Sequence, residues 1–243
     1  MKTVFYSIVF AVILLLQVSE CRGDVIVFDA VTTLEHPIFI RVLTKGRFFP
    51  AGGKRVTVHI GREAPQPMLT GGDGYGRLKY VPAKTGMIKV VVKYGPETDT
   101  ANLLVMAKED RALLVEINAG LRGGPFSPHP LPDSREVLDT LSRKYRLIYL
   151  HGMNGRSSSK EWLEANGYPE GIILKNRSTT TVRLLHQRKV HMIGIVGSSK
   201  LASAAAPYVQ IALAFEVAPD VTTVDGWKEI ENVLETQKSH KPN

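Results

Sequence analysis

The chain has 243 residues, 44% of them hydrophobic, and a formal net charge of +8, which is enough material for one large domain or two ordinary ones. Cys21 is the only cysteine, so no disulfide can form within the chain and the hydrophobic core must supply the stability. The lysines and arginines are scattered in runs of no more than two, without interleaved aromatic residues. This pattern favours a solvated basic surface over a nucleic-acid partner.

The first 21 residues have the pattern of a secretory signal peptide. Lys2 precedes an apolar core at 4–18, and small and polar residues follow before Arg22. The core is shorter than the roughly 20 residues that cross a bilayer, so we expect cleavage rather than stable membrane insertion. The mature protein is therefore predicted to be exported, either periplasmic or secreted. Lipid modification of Cys21 is the alternative, and Glu20 in front of it fits a lipobox poorly.

Residues 24–107 are predicted to form an all-β domain. Short β-branched runs at 25–28, 38–42, 55–60, 78–81 and 88–94 are separated by proline- and glycine-rich turns. Regular short strands of this kind are typical of a sandwich or small barrel. Asp73 lies among glycines at 71–74, where a structural hairpin is favoured over a calcium loop because the spaced carboxylates of such a loop are missing.

After Ala107 the pattern changes to strands that alternate with helices. Strands are predicted at 112–117, 147–150, 171–174, 192–196 and 211–215. Ser134 is expected to cap the first helix, and a second helix is expected to begin among Ser157–Ser159. Alternation of this kind predicts a parallel sheet with its site at the carboxyl ends of the strands. Residues 221–243 are predicted to form a short amphipathic helix and a tail.

Four segments, in their order along the chain, resemble the motifs of the haloacid dehalogenase-like (HAD-like) phosphatase superfamily, in its lipin-like branch. They are Glu116-Ile117-Asn118-Ala119-Gly120-Leu121, Ile148-Tyr149-Leu150-His151-Gly152, Trp162-Leu163 with Gly167–Ile172, and Ile193–Ser199. The loop Gly124-Pro125-Phe126 and the proline-rich turn after it also lie where these phosphatases lead into their first helix. The resemblance implies a three-layer α/β domain with a parallel sheet at 110–220. The segment Leu69–Gly76 resembles a turn of bacterial Ig-like and carboxypeptidase-regulatory-like modules, which implies an Ig-like β-sandwich at 24–107.

The residues at the catalytic positions of these motifs differ from those of the phosphatases. The resemblance implies an aspartate nucleophile, a second aspartate as general acid and base, and Mg²⁺ held by acidic residues. Glu116 stands at the first position and the neutral Asn118 at the second. His151 replaces a threonine hydroxyl, and Ser198 and Ser199 occupy the position of the acidic metal ligand. We therefore expect the phosphatase chemistry to be lost, with no metal site and no cofactor.

The favoured hypothesis is an exported, pseudophosphatase-like binding protein. Its ligand-binding residues are predicted to be Glu116, Asn118, His151, Ser198 and Ser199, and its partner a small ligand or an envelope component. Two alternatives stay open. One is a divergent Mg²⁺-dependent phosphohydrolase that uses Glu116, Asn118 or His151, and the other is a structural envelope module. Asn176-Arg177-Ser178 also fits the N-glycosylation pattern, which matters only in a eukaryotic secretory host.

The signal pattern leads to a first test. We expect protein recovered from the envelope or the medium to begin at about residue 22, because the charged, apolar and small-residue regions of a signal peptide are all present. N-terminal sequencing of the recovered protein checks this expectation. Recovery of the intact Met1 terminus from the cytosol would contradict it.

Overall fold

The computed structural model describes residues 24–124 and 127–236. The predicted signal peptide with Cys21, and the tail beyond 236, lie outside these ranges. The fold is mixed: antiparallel strand pairs dominate the N-terminal part, and a parallel sheet follows. The fold class is confirmed at this level. No helix in the described ranges is long and apolar enough to cross a bilayer.

Eight strands lie between residues 24 and 106, and several of them alternate between buried and more exposed side chains. In the fourth of them, Val56, Val58 and Ile60 are buried while the residues between them are partly exposed. This period of two follows from the pleat of a strand with one face on a core. The strands are β1 Asp24–Val27, β2 Ala30–Thr33, β3 Ile38–Lys45, β4 Arg55–Ile60, β5 Gln66–Leu69, β6 Tyr75–Tyr80, β7 Gly86–Tyr94 and β8 Glu97–Met106.

The turn at Gly71–Gly74 differs from the predicted hairpin. The strand before it, β5, pairs with β4, whereas the strand after it, β6, belongs to a separate three-stranded sheet in the order β1-β3-β6. The turn therefore passes the chain from one sheet to another. Asp73 closes it locally, because its Oδ1 accepts a hydrogen bond of 3.0 Å from the Tyr75 amide. β4 also pairs antiparallel with β7, whereas β2 pairs parallel with the end of β8.

The parallel sheet has six strands in the order β11-β10-β9-β12-β13-β14. The central position of β9 follows from its sequence, since Ala112 to Val115 are all completely buried. The strands are β9 Ala112–Glu116, β10 Arg146–His151, β11 Ile172–Lys175, β12 Met192–Val196, β13 Ile211–Ala214 and β14 Thr222–Thr223. The α-helices are α1 Ser134–Ser142, α2 Arg156–Ala165, α3 Thr179–Gln187, α4 Ser199–Ala205 and α5 Trp227–Thr236.

The starts of two helices differ from the prediction. Ser134 is the first residue of α1 and makes no capping bond, because its buried hydroxyl donates to the Leu131 carbonyl and shares a 2.7 Å hydrogen bond with the Tyr168 hydroxyl. α2 begins at Arg156, after Gly155 with a φ of 77°, so the predicted serine cap lies inside its first turn. Glycine adopts such a left-handed conformation without the steric conflict of a β-carbon.

Cα packing divides the chain into two compact units. Within the described residues, one comprises 24–28, 39–79 and 89–101, and the other comprises 29–38, 80–88 and 102–236. The predicted division near 107–111 coincides with the link between β8 and β9. The second unit also includes two segments from earlier in the chain. The division into a domain at 24–107 and another at 110–220 stays a prediction.

A buried carboxylate joins the second unit together. Asp29 has a side chain that is only 4% exposed and accepts hydrogen bonds of 3.0 Å from the backbone amides of Asn102 and Ile173. Its Oδ1 also lies 3.1 Å from a guanidinium nitrogen of Arg156, at the start of α2. Asp29 therefore connects β8, the edge strand β11 and α2. A buried carboxylate is tolerated only with such a full set of partners.

This arrangement predicts a large effect of removing the carboxylate. Asp29→Ala leaves two buried amides without acceptors and takes the carboxylate away from a buried guanidinium, so we expect the free energy of unfolding to fall by about 3–5 kcal/mol. Asp139→Ala is the control, because Asp139 pairs with Arg143 on the surface of α1. Its loss should change stability by no more than about 0.5 kcal/mol. Urea unfolding of both variants measures the difference, and equal effects would contradict the role of Asp29.

Candidate functional site

The candidate site lies at the carboxyl edge of the parallel sheet. Glu116 is the last residue of β9, which lies between β10 and β12 at the centre of the sheet. The carboxyl ends of neighbouring parallel strands meet at one edge, where open α/β sheets place their ligands. The residues that follow these strands are therefore the candidates for a binding or catalytic site.

Both carboxylate oxygens of Glu116 are hydrogen bonded within the protein. Oε1 accepts a bond of 3.0 Å from the Asn176 side-chain amide, just after β11. Oε2 accepts bonds of 2.7 Å from the Ser198 backbone amide and 2.8 Å from the Ser198 hydroxyl, just after β12. All three donors are neutral. We call Glu116, Asn176 and Ser198 the Glu116 network.

Two glycines make room for the side chains that extend from the end of β9. A β-carbon at Gly197 would lie 2.8 Å from Oε2 of Glu116, and one at Gly152 would lie 2.7 Å from the side-chain nitrogen of Asn118. Real β-carbons do not approach heavy atoms this closely. The glycines of the second and fourth motifs are therefore explained by close packing against Glu116 and Asn118.

A π-helical turn, Ile117–Leu121, carries Asn118 and follows β9 directly. The Arg122 amide donates to the Ile117 carbonyl at 3.1 Å, and the Gly124 amide donates to the Asn118 carbonyl at 2.7 Å. The buried indole of Trp227, in α5, donates a 2.9 Å bond to the Gly120 carbonyl. These bonds satisfy backbone groups that the wide turn would otherwise leave unpaired.

Ser199 belongs to a second, more exposed pair. It begins α4, and its hydroxyl donates a 3.2 Å hydrogen bond to the carboxylate of Glu216, just after β13. Neither Glu216 nor Asn176 belongs to the motif positions that predict the site. The only signal for them in the sequence is their position, since each is a polar residue within two positions of the end of a strand. Asn176 was noticed only as part of a glycosylation pattern.

His151 lies on the other face of the sheet from Glu116. Glu116 pairs with Leu150 in the register of the sheet, so these two side chains point to the same face. His151 follows Leu150 directly in β10 and pairs with Lys175. Consecutive residues of a strand point to opposite faces, so His151 points away from the face of Glu116. Among the described residues, His151 has no hydrogen bond with Glu116, Asn118, Ser198 or Ser199; its Nδ1 bonds to the Gly152 carbonyl at 3.1 Å. The structure thus separates His151 from the other predicted ligand-binding residues.

The surroundings of His151 favour the neutral form of its ring. Burial lowers the pKa of His151, and the positive charges of Lys175 and Arg156 lower it further. The hydrogen bond with the Gly152 carbonyl and the charge of Asp29 act in the opposite direction. A buried neutral imidazole that bonds to a backbone carbonyl is typical of a structural histidine.

The Trp-Leu and Gly-Tyr-Pro segments of the third motif support the loop beyond Leu121. The Arg122 guanidinium lies 4.1 Å from the centre of the Trp162 ring, which stacks on Tyr168 with centroids 5.3 Å apart. Tyr149 donates a 2.9 Å hydrogen bond to the Pro169 carbonyl. Burial raises the pKa of the Tyr168 hydroxyl and lowers the pKa of Arg122. These residues act in packing, at a distance from the Glu116 network.

A cavity of about 330 Å³ lies beside this stack. Its lining includes residues at the amino-terminal end of β11, away from the carboxyl edge of the sheet. The lining residues are Tyr149, Lys160, Leu163, Glu164, Tyr168, Pro169, Glu170, Gly171 and Ile173. Within 24–124 and 127–236, no cluster of three or more His, Cys, Asp or Glu side chains has the arrangement of a metal site.

The Glu116 network leads to a test of stability. Glu116→Gln replaces one acceptor oxygen with an NH₂ group, which then faces either the amide donor of Asn176 or the donors of Ser198. We expect the free energy of unfolding to fall by about 1–3 kcal/mol, since a partly buried donor loses its acceptor. Glu216→Gln is the control, because Glu216 is exposed. This substitution should change the free energy of unfolding by no more than about 0.5 kcal/mol. Chemical denaturation compares the two variants.

An unchanged stability of Glu116→Gln would contradict this network. It would instead indicate that the carboxylate is held for a ligand rather than for the fold.

Comparisons with known proteins assign neither a family nor an activity. No protein-family model matches the chain, and no curated protein matches it. A two-domain fragment of intimin, D00-D0, is 15% identical with a TM-score of 0.28 and covers 35% of this chain and 47% of its own. Domains 4 and 5 of the surface-layer protein SbsC are 11% identical with a TM-score of 0.26, covering 35% and 51%.

A carbohydrate acetylesterase from Xanthomonas citri is 10% identical with a TM-score of 0.32, covering 73% of this chain and 53% of its own. The chain thus spans about half the length of each of these structures. All three TM-scores are below 0.5, and no argument about function follows from them.

Proposed function

We propose that the protein is an exported, non-catalytic binding protein whose α/β unit is a HAD-like domain without phosphatase chemistry, preceded by an Ig-like β-sandwich. The motif order supports the HAD-like assignment, because the first motif lies at the end of the central strand β9 and the second and fourth follow its two neighbours, β10 and β12. The three motifs therefore meet at one edge of the sheet.

The observation that carries the proposal is the set of three hydrogen bonds to Glu116. A carboxylate that attacks phosphorus must direct a lone pair at the substrate. Here Oε1 is bound by Asn176, and Oε2 is bound twice by Ser198. Glu116 consequently uses three of its roughly four lone-pair positions on its neighbours, and one position on Oε1 is left for a substrate.

The adjoining residues offer no replacement for the missing chemistry. Asn118 has no titratable proton, so it cannot act as a general acid and base, a loss of about 10²–10⁴-fold in rate. His151, the substitute base of the enzyme alternative, lies on the opposite face of the sheet from Glu116. Mg²⁺, which only that alternative requires, would meet a single carboxylate in the Glu116 network.

A binding role needs polar groups that a ligand can reach. Asn118, Ser198 and Ser199 are each partly exposed at the carboxyl edge. An amide and two hydroxyl groups suit a neutral polar or weakly anionic group better than a phosphate–Mg²⁺ complex. If the protein is instead a structural envelope module, the network only ties the strands together. Thermal-shift screening of polar ligands separates the two roles, since a ligand at this edge should lose its effect in Asn118→Ala and Ser199→Ala.

A phosphatase assay tests the loss of catalysis. We expect the unmodified protein, with a generic phosphate monoester and Mg²⁺, to stay far below ordinary enzyme turnover of about 1–10³ s⁻¹. Glu116→Asp with Asn118→Asp restores two acidic groups but leaves Ser198 in place of the metal ligand. Its activity should therefore remain below that of the triple variant that also carries Ser198→Asp.

The proposal is overturned if the unmodified protein hydrolyses the ester at ordinary turnover, if Glu116→Ala abolishes that activity, and if the control Glu216→Gln retains it.

A further inference from the structure

The loop between β3 and β4 presents two adjacent phenylalanines to solvent. Phe48 and Phe49 are each 78% exposed, although they are among the largest apolar side chains in the chain. Single exposed apolar residues are common on protein surfaces, whereas contiguous aromatic surface marks an interaction site. The pair belongs to the first compact unit and is separate from the Glu116 network.

The loop is ordered, so the exposure of the two rings is built into the turn. The Gly46 amide donates to the Phe49 carbonyl at 2.7 Å, and Lys45 forms an antiparallel bridge with Pro50. At the base of the loop, the Ala51 amide donates to the Thr44 carbonyl at 2.9 Å. The buried Thr44 hydroxyl donates to the Ala51 carbonyl at 2.6 Å. These bonds hold the tip away from the core of its unit.

The segment that contains the tip is strongly basic. Residues 36–62 include six lysines and arginines and no aspartate or glutamate: Arg41, Lys45, Arg47, Lys54, Arg55 and Arg62. The Arg47 guanidinium lies 5.2 Å from the centre of the Phe48 ring, so cation and aromatic surface lie side by side. Acidic residues also lie beside this segment: Asp24 is opposite Lys45 in the β1–β3 pair, and Asp73, in the turn that closely approaches the base of the loop, has its carboxylate bound by the Tyr75 amide.

We propose that this tip docks the protein on an anionic lipid bilayer, with the rings of Phe48 and Phe49 in the interfacial region and Lys45 and Arg47 against the lipid phosphates. Apolar rings flanked by cations are the combination that interfacial anchors use. A soluble polyanion would contact the cations and leave the rings in water. A protein groove would receive the rings without needing a basic segment around them. The bilayer surface accommodates both features.

Vesicle binding by the processed chain tests this proposal, because the apolar residues 4–18 of the uncleaved chain would themselves bind lipid. We expect co-sedimentation with phosphatidylcholine vesicles that contain phosphatidylglycerol, and much less with phosphatidylcholine alone. Phe48→Ser with Phe49→Ser should lower the partition coefficient roughly tenfold or more. Lys45→Gln with Arg47→Gln should remove most of the dependence on the anionic lipid.

Controls separate docking from general effects. Met153→Ser with Val217→Ser removes two other highly exposed apolar side chains and should leave vesicle binding unchanged. In Phe48→Trp, a blue shift of fluorescence on adding anionic vesicles, absent from the parent protein, would support insertion of the tip. The proposal is overturned if the parent chain does not bind anionic vesicles, or if the Phe48→Ser, Phe49→Ser variant binds them equally well. Heparin binding that needs Lys45 and Arg47 but not the phenylalanines, without vesicle binding, would also overturn it.

Discussion

The hydrogen bonds of Glu116 decide what the carboxyl edge of the parallel sheet can do. The carboxylate accepts hydrogen bonds from Asn176, which follows β11, and from Ser198, which follows β12. These two strands lie on opposite sides of β9, and β10 lies between β9 and β11. At the edge where open α/β folds keep a reactive group, most of the hydrogen-bonding capacity of this carboxylate is therefore used by internal bonds. Three neutral donors stabilise the charge without a metal or a basic residue. The close approach at Gly197, and with it the glycine of the fourth motif, follows from this one placement.

Asp29 shows the same use of acidic residues at another place in the second unit. It also accepts from two backbone amides, and it adds an ion pair with Arg156. In both cases a carboxylate binds groups from separate parts of the sheet region, and the Asp29 side chain is almost completely buried while Glu116 is partly buried. Acidic side chains that are buried and hydrogen bonded within the protein contribute less negative potential to the surface. The full sequence has 31 lysines and arginines against 23 aspartates and glutamates, so positive charge is in excess.

Local patterns predicted much of the second half of the chain. The strand at 192–196 was predicted with the observed bounds, and the helix that begins at Trp227 was predicted from its apolar spacing. Fully apolar runs and 3.6-residue periods are properties of short segments, so one sequence contains them. Features that depend on distant residues were not predictable in this way. Ser134 was expected to cap a helix, and its hydroxyl instead meets Tyr168, which is 34 positions away.

The candidate site shows the same limit. Glu116 and Ser198 were both selected from the motif pattern, but the bond between them joins residues 82 positions apart. Asn176 was not selected, because its position directly after a strand does not by itself distinguish it from a surface amide. His151 was grouped with Glu116 because it stands at the threonine position of the second motif, and only the register shows that a difference of one residue turns it to the other face. The hairpin predicted at Gly71–Gly74 was wrong for a related reason: strand pairing is decided by the whole sheet.

The bond from the Trp227 indole to the Gly120 carbonyl has a consequence for the order of assembly. It joins residues 107 positions apart, and the π-helical turn that it supports carries Asn118. The first strand of the parallel sheet is made early, but the loop beyond it lacks this support until α5 has been synthesised. Closing a loop of this length also carries an entropic cost that the contact has to offset. The edge of the sheet that holds the candidate site therefore reaches its final form only when nearly all of the described chain is in place.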